Sequence, residues 1–194
     1  MKVLWDKLHK EILSCRKCTL FETRTNIVLG SGRLESKIMF IGEAPGANED
    51  KTGKPFCGRA GEILNDLLEK VSIARDDVYI ANILKCRPPA NRNPKEIEIN
   101  QCVSYLERQL ELINPKIICC LGNFATSYIM NRFGLASKVK GISKIHGELF
   151  TTKWNNDTLR VMPMYHPAVV AYNPNMKKVL LKDFCFLQKI LQEN

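Results

Sequence analysis

The chain is 194 residues long, 45% hydrophobic and 25% charged, a size and composition that bury one sizeable core. No apolar stretch is long enough to span a bilayer, which excludes an integral helical membrane protein. The formal charge of +9 suits a polyanion such as DNA, RNA or an anionic membrane surface, although a merely basic protein carries such a charge too.

The opening residues interleave charge with Leu4, Trp5, Leu8 and Ile12, which predicts an amphipathic helix stopping at Ser14 rather than a signal peptide. A cytoplasmic chain is therefore expected, and the eight cysteines read as thiols or metal ligands rather than a disulfide framework. Cys15 and Cys18 follow that helix directly, and residues 19–36 read as irregular, with turns at Gly30 and Gly32. Ile38 to Ile41 is a first buried strand. It feeds residues 41–61, where Gly42, Pro45, Gly46, Gly53, Pro55, Gly58 and Gly61 are too many breakers for a helix or a strand. The same stretch carries Glu43, Glu49, Asp50, Lys51, Lys54 and Arg59, with Phe56 held between Pro55 and Cys57. A strand, a long charged loop and a helix from about Gly61 is how an open α/β sheet builds a site at its strand ends.

Ile63, Leu64, Leu67, Leu68 and Val71 give that helix a clean apolar face. Val78 to Leu84 predicts a second strand in which polar Asn82 is conspicuous. Cys86 to Pro94 is a rigid basic loop, and Pro94 suits the first position of a helix running to about Ile113. Lys116 to Leu121 is a third strand, and Gly122 opens a helix to about Phe133. After a basic loop over residues 134–147, Leu149–Lys153 and Leu159–Met164 predict a hairpin turned at Asn155, Asn156 and Asp157. Its second arm ends at Tyr165-His166-Pro167-Ala168, and Lys177 to Leu191 is a closing helix. Alternating buried strands and helices imply a single α/β domain over residues 1–194, a parallel sheet covered on both faces.

The pair Cys15 and Cys18 is a spacing shared by zinc knuckles, redox pairs and iron–sulfur sites. Cys86 and Cys102 do not repeat it, which counts against a zinc ribbon and leaves both metals open. Cys57, Cys119, Cys120 and Cys185 sit beside apolar residues and read as core or loop thiols. Gly46 to Lys54 invites a phosphate-loop reading but fails it. Too many residues separate its glycines, and Pro55 stands where a Ser or Thr should follow the lysine.

Taken in order, Gly42-Glu43-Ala44-Pro45-Gly46, Glu49-Asp50, Lys54-Pro55-Phe56 and Gly58-Arg59-Ala60-Gly61 form one set of marks. Asn82, Lys85-Cys86-Arg87-Pro88-Pro89 and His166-Pro167-Ala168 complete it. With these marks the chain resembles the family 4 uracil-DNA glycosylases, from about Cys15 to His166 and beyond. The resemblance implies a three-layer sandwich, with a central four-stranded parallel sheet flanked by helices. It further implies a 4Fe-4S cluster on Cys15, Cys18, Cys86 and Cys102, and release of uracil from single- or double-stranded DNA. A monomer is expected, with no membrane partner; a sliding clamp stays open as a further partner.

Such an enzyme flips a nucleotide from the stack and breaks its N-glycosidic bond, leaving negative charge on the base and positive charge on the sugar. The resemblance makes His166 the donor to the uracil carbonyl, whereas His9 and His146 read as ordinary core or surface histidines. Asn82 offers one acceptor and one donor, matching N3–H and O4 of uracil and mismatching cytosine. Phe56 stacks on the flipped ring, so that Gly42, Phe56, Asn82 and His166 form the substrate-binding set. Glu43 and Glu49 are the carboxylates expected to position water or stabilise the sugar cation. Ala44 stands where better-known relatives carry Asp. Gly46 replaces a tyrosine that excludes the thymine methyl, a barrier role that falls to Glu49. Lys51, Arg59, Lys85, Arg87 and Arg92 are candidates for phosphate contacts. The competing classes are a non-catalytic metal protein that binds nucleic acid and a glycosylase for another base.

Overall fold

The computed structural model describes residues 2–192. Nine α-helices occur among them: α1 (Lys2–Leu13), α2 (Leu20–Thr23), α3 (Ala47–Thr52), α4 (Arg59–Lys70), α5 (Glu96–Ile113), α6 (Asn123–Arg132), α7 (Ile142–Ile145), α8 (Val169–Tyr172) and α9 (Met176–Gln192). The strands are β1 (Ser31–Gly32), β2 (Ile38–Gly42), β3 (Tyr79–Asn82), β4 (Ile117–Leu121), β5 (Phe150–Trp154) and β6 (Asp157–Met164).

The strands form one sheet in the order β1-β3-β2-β4-β6-β5. Its centre, β3-β2-β4-β6, is parallel throughout, and one antiparallel strand is added at each edge. β2, β3 and β4 are buried on both faces, which explains their continuous apolar runs. Ile38, Phe40, Ile80 and Met162 face α4 and α9, where Phe40 stacks on Phe184 at 5.8 Å. Met39, Ile41, Ala81 and Ile118 face α5 and α6. A smaller cluster joins Leu8 and Ile12 of α1 to Leu20, Leu84 and Tyr105, and Glu11 pairs with Arg108 to fasten α1 to α5. None of the described helices is long and apolar enough to cross a membrane.

Three expectations need correction. Residues 41–61 are not irregular throughout, because α3 fits between Gly46 and Gly53. α5 begins at Glu96 rather than Pro94, because Lys95 is its cap and the Lys95 N–H donates to Glu98 Oε2 at 2.8 Å. Residues 19–36 contain α2 and the edge strand β1, too short to leave a periodic signal.

Candidate active site

Parallel strands point their carboxyl ends at one edge of the sheet, and the site lies there. Gly42 ends β2 and is paired with Asn82, which ends β3. Leu121 and Met164 end β4 and β6 in register, and His166 lies two residues further on. The approach at Gly42 admits no side chain. A Cβ there would stand 2.4 Å from Asn82 Oδ1 and 2.9 Å from the Phe56 ring. Gly42, Asn82 and Phe56 are thus packed as one unit.

Asn82 is 2% exposed, and its Oδ1 is buried without a hydrogen-bond partner. Such an orphaned acceptor costs about 1–3 kcal/mol, and it is the mark of a position waiting for a donor. His166 is half-buried, and burial lowers its pKa to about 4 against a smaller opposing pull from Glu49. Its Nδ1 accepts the Ala168 N–H at 3.2 Å, which leaves the neutral ring its proton on Nε2. The ring lies 5.5 Å from that of Phe56, tilted by 32°. Phe56 adopts φ 48°, an unusual conformation for a non-glycine residue. Arg75 holds it there, with Nη2 donating to Pro55 O at 2.8 Å and Phe56 O at 3.4 Å while Nη1 donates to Asn65 Oδ1. Sequence reasoning did not find Arg75, which lies in an unremarkable exposed turn far from the motif.

The two carboxylates differ in kind. Glu49 Oε2 accepts the Gly46 N–H at 3.1 Å, and Oε1 accepts the Cys57 and Gly58 N–H groups at 3.0 Å each. It clasps both ends of the loop and occupies the space beside Gly46, where an added Cβ would lie 2.7 Å from Oε2. Glu43 lines a cleft of about 200 Å³ together with Gly46, Arg92 and His166. Burial raises its pKa.

The uracil DNA glycosylase superfamily model matches residues 29–193. The chain belongs to this superfamily. It is 46% identical over 180 residues to the type-4 uracil-DNA glycosylase of Sulfurisphaera tokodaii, covering 92% of this chain and 81% of that one. The Archaeoglobus fulgidus type-4 enzyme is 45% identical, covering 92% and 89%, and the Thermotoga maritima type-4 enzyme 39%, covering 93% and 91%.

In this member of the uracil-DNA glycosylase superfamily the candidate phosphate contacts do not all lie at the surface. Lys85 is the correction. It is 1% exposed, and its ammonium donates to Asn82 O at 2.8 Å and Gln109 Oε1 at 2.7 Å, so it cannot reach DNA. Burial lowers its pKa to about 8, opposed by Cys102 and Cys86. Lys51 is exposed on α3 and Arg59 at the start of α4, where Arg59 pairs with Glu62 at 2.9 Å. Arg87 Nε donates to Asn91 Oδ1 at 2.7 Å, and Arg92 grips Glu98 through both terminal nitrogens at 2.9 and 2.5 Å. Those two partners hold the basic loop after β3 in shape.

Cys15, Cys18, Cys86 and Cys102 line one cavity walled by Ile12, Leu20, Ile27 and Leu84. Arg24 Nη1 donates to Cys86 Sγ at 3.2 Å, and the Lys85 N–H to Cys102 Sγ at 3.3 Å. Burial raises the Cys18 and Cys86 thiols and pushes Cys102 up to about 11, so a ligand group must displace their protons. The four converge from α1's end, the loop after β3 and α5. Among the described residues no three His, Cys, Asp or Glu side chains gather tightly enough for a single ion. Cys119 and Cys120 are buried in β4, in the two cores on either side of the sheet rather than in this cavity.

Proposed function

We propose that the chain is a uracil-DNA glycosylase that releases free uracil from DNA and leaves an abasic site. The observation that carries this reading is the buried, unpartnered Asn82 Oδ1 in a pocket that also contains a neutral histidine. An acceptor fixed there suits the N3–H of uracil, and the Asn82 amide N–H then suits O4. Cytosine offers an acceptor at N3 and a donor at N4, the reverse pattern. Phe56 supplies a ring face for stacking. His166, with its proton on Nε2, donates to the carbonyl oxygen that gains charge as the glycosidic bond breaks. Glu43 is the carboxylate that faces the sugar or the attacking water, and Glu49 keeps the loop closed against a thymine methyl. Lys51, Arg59, Arg87 and Arg92 meet the phosphates of single- or double-stranded DNA.

The four cysteines hold a 4Fe-4S cluster. The apolar cavity and two N–H···S contacts suit such a group, whose sulfurs accept hydrogen bonds. When bound, the cluster supplies cohesion, tying the end of α1 to the loop that follows Asn82.

The test is release of free base from DNA containing uracil, cytosine or thymine opposite guanine, together with a metal analysis of the same preparation. Uracil alone should be released, and about four irons per chain found. Tight DNA binding with no base released favours the non-catalytic class. Stoichiometric zinc overturns the cluster.

A further inference from the structure

Lys85 carries a buried charge with no carboxylate against it among the described residues. Both of its acceptors are neutral: Asn82 O and Gln109 Oε1. Gln109 is itself buried and held by Leu29 O at 2.8 Å and Tyr79 Oη at 3.2 Å. The network is therefore fixed, and no acceptor can swing out to admit water. An ammonium so enclosed is strongly destabilising unless a counter-charge stands nearby.

The groups on its cavity side are the cysteine sulfurs. Lys85 lines the cysteine cavity beside Cys86, and its backbone N–H donates to Cys102 Sγ at 3.3 Å. Two other cations border the same cavity. Arg24 is half-buried against Cys86 Sγ and Cys15 O, and Lys17 is exposed, its Nζ 4.5 Å from the Tyr105 ring centre. Solvent screens both, but not Lys85.

Resting on the cluster reading given above, we infer that Lys85 is the internal counter-ion of the cluster, positioned by the same two hydrogen bonds that hold the strand end carrying Asn82. A 4Fe-4S core in its 2+ state with four thiolates carries a net charge of about −2 and gains one more negative charge on reduction. A fixed ammonium in a low-dielectric site favours the more negative state, so it raises the reduction potential. Base pocket and cysteine site then share one buried positive charge.

The experiment compares iron-loaded wild-type protein, Lys85→Met and Gln109→Glu, purified without oxygen. The one-electron potential is titrated and followed by electron paramagnetic resonance. Lys85→Met keeps most of the stem and removes the charge. It should shift the reduction equilibrium about tenfold toward the oxidised state, about 59 mV more negative. Gln109→Glu keeps the shape and gives the ammonium a carboxylate; it should move the potential the same way by less. That variant decides the matter if Lys85→Met does not fold. A lowered melting temperature with unmoved potentials would mean a purely structural lysine and overturns the inference, as does a shift to higher potential. Iron-free wild-type protein overturns the cluster reading, and this inference with it. Unmoved potentials in iron-loaded variants overturn the counter-ion alone.

Discussion

The base pocket and the cysteine cavity lie on either side of Lys85 and are built on opposite terms. In the pocket each functional group is fixed by the protein itself. Arg75 sets the Phe56 turn, the Ala168 N–H fixes the His166 tautomer, and Glu49 closes the loop with three backbone bonds. One buried atom, Asn82 Oδ1, is left open. In the cavity, by contrast, burial raises the Cys102 thiol, while the Arg24 and Lys85 N–H groups donate to the Cys86 and Cys102 sulfurs. On the function proposed above, the first region is finished before its ligand arrives, and the second is completed by what it would hold. Changes in the pocket should therefore appear in rates, and changes in the cavity in stability.

The largest effect expected is that of His166→Ala. Charge reaches the uracil oxygen only as the bond breaks, so single-turnover cleavage should fall on the order of a hundredfold or more. DNA affinity and melting temperature should stay near wild type, and a large fall in either would erase the contrast. Cys86→Ser should instead lose the iron and about 2 kcal/mol of stability, roughly 4–8 °C in melting temperature for a chain of this size. Its remaining folded protein should still prefer uracil over cytosine. Asn82→Asp puts an acceptor where the O4 of uracil also presents one, and should lower uracil excision about tenfold while admitting cytosine. Full uracil activity in this variant would remove Asn82 as the reader.

The pH dependence sharpens the same contrast. His166 stays neutral in the fold down to about pH 4, whereas the unfolded chain protonates it near its ordinary value. Its contribution to stability is therefore complete above the unfolded pKa of about 6.5 and is lost as pH falls through about 4. Glu43 is raised, so its contribution runs the other way: present at low pH and lost as pH rises through its own folded value. The cleavage rate should show no step near the ordinary histidine pKa. Its acid limb should belong to Glu43, and Glu43→Gln should flatten that limb. The smallest change is expected for Arg87→Ala. It should weaken binding to uracil-containing and normal DNA alike and reduce the salt slope by about one. Altered base preference would place Arg87 in the pocket instead.

Strands β2, β3 and β4 were legible as buried apolar runs and β6 only as the second arm of a hairpin, and the site followed from the loops at the strand ends. Asn82 stood out as a polar side chain in such a run. α3 escaped notice because Gly46 and Gly53 were read as breakers of the whole stretch. They punctuate its ends instead, Gly53 with φ 74° as the left-handed cap. Lys85 was misread because a lysine in a basic loop ordinarily faces water, and only the position of Gln109 on a distant helix shows otherwise. Arg75 and Arg24 left no signal at all. Each acts on residues far along the chain, the one on the Phe56 turn and the other on Cys86.

The order of elements along the chain carries a consequence for biosynthesis. Strands β1 to β4, contiguous in the sheet, and all four cavity cysteines lie within the first 121 residues. β6 and His166 come afterwards. A chain leaving the ribosome thus has its cavity cysteines and four of its six strands in hand while His166 is still unmade. On the function proposed above, cofactor loading can precede competence, so a nascent chain that acquires iron would not yet leave abasic sites in DNA.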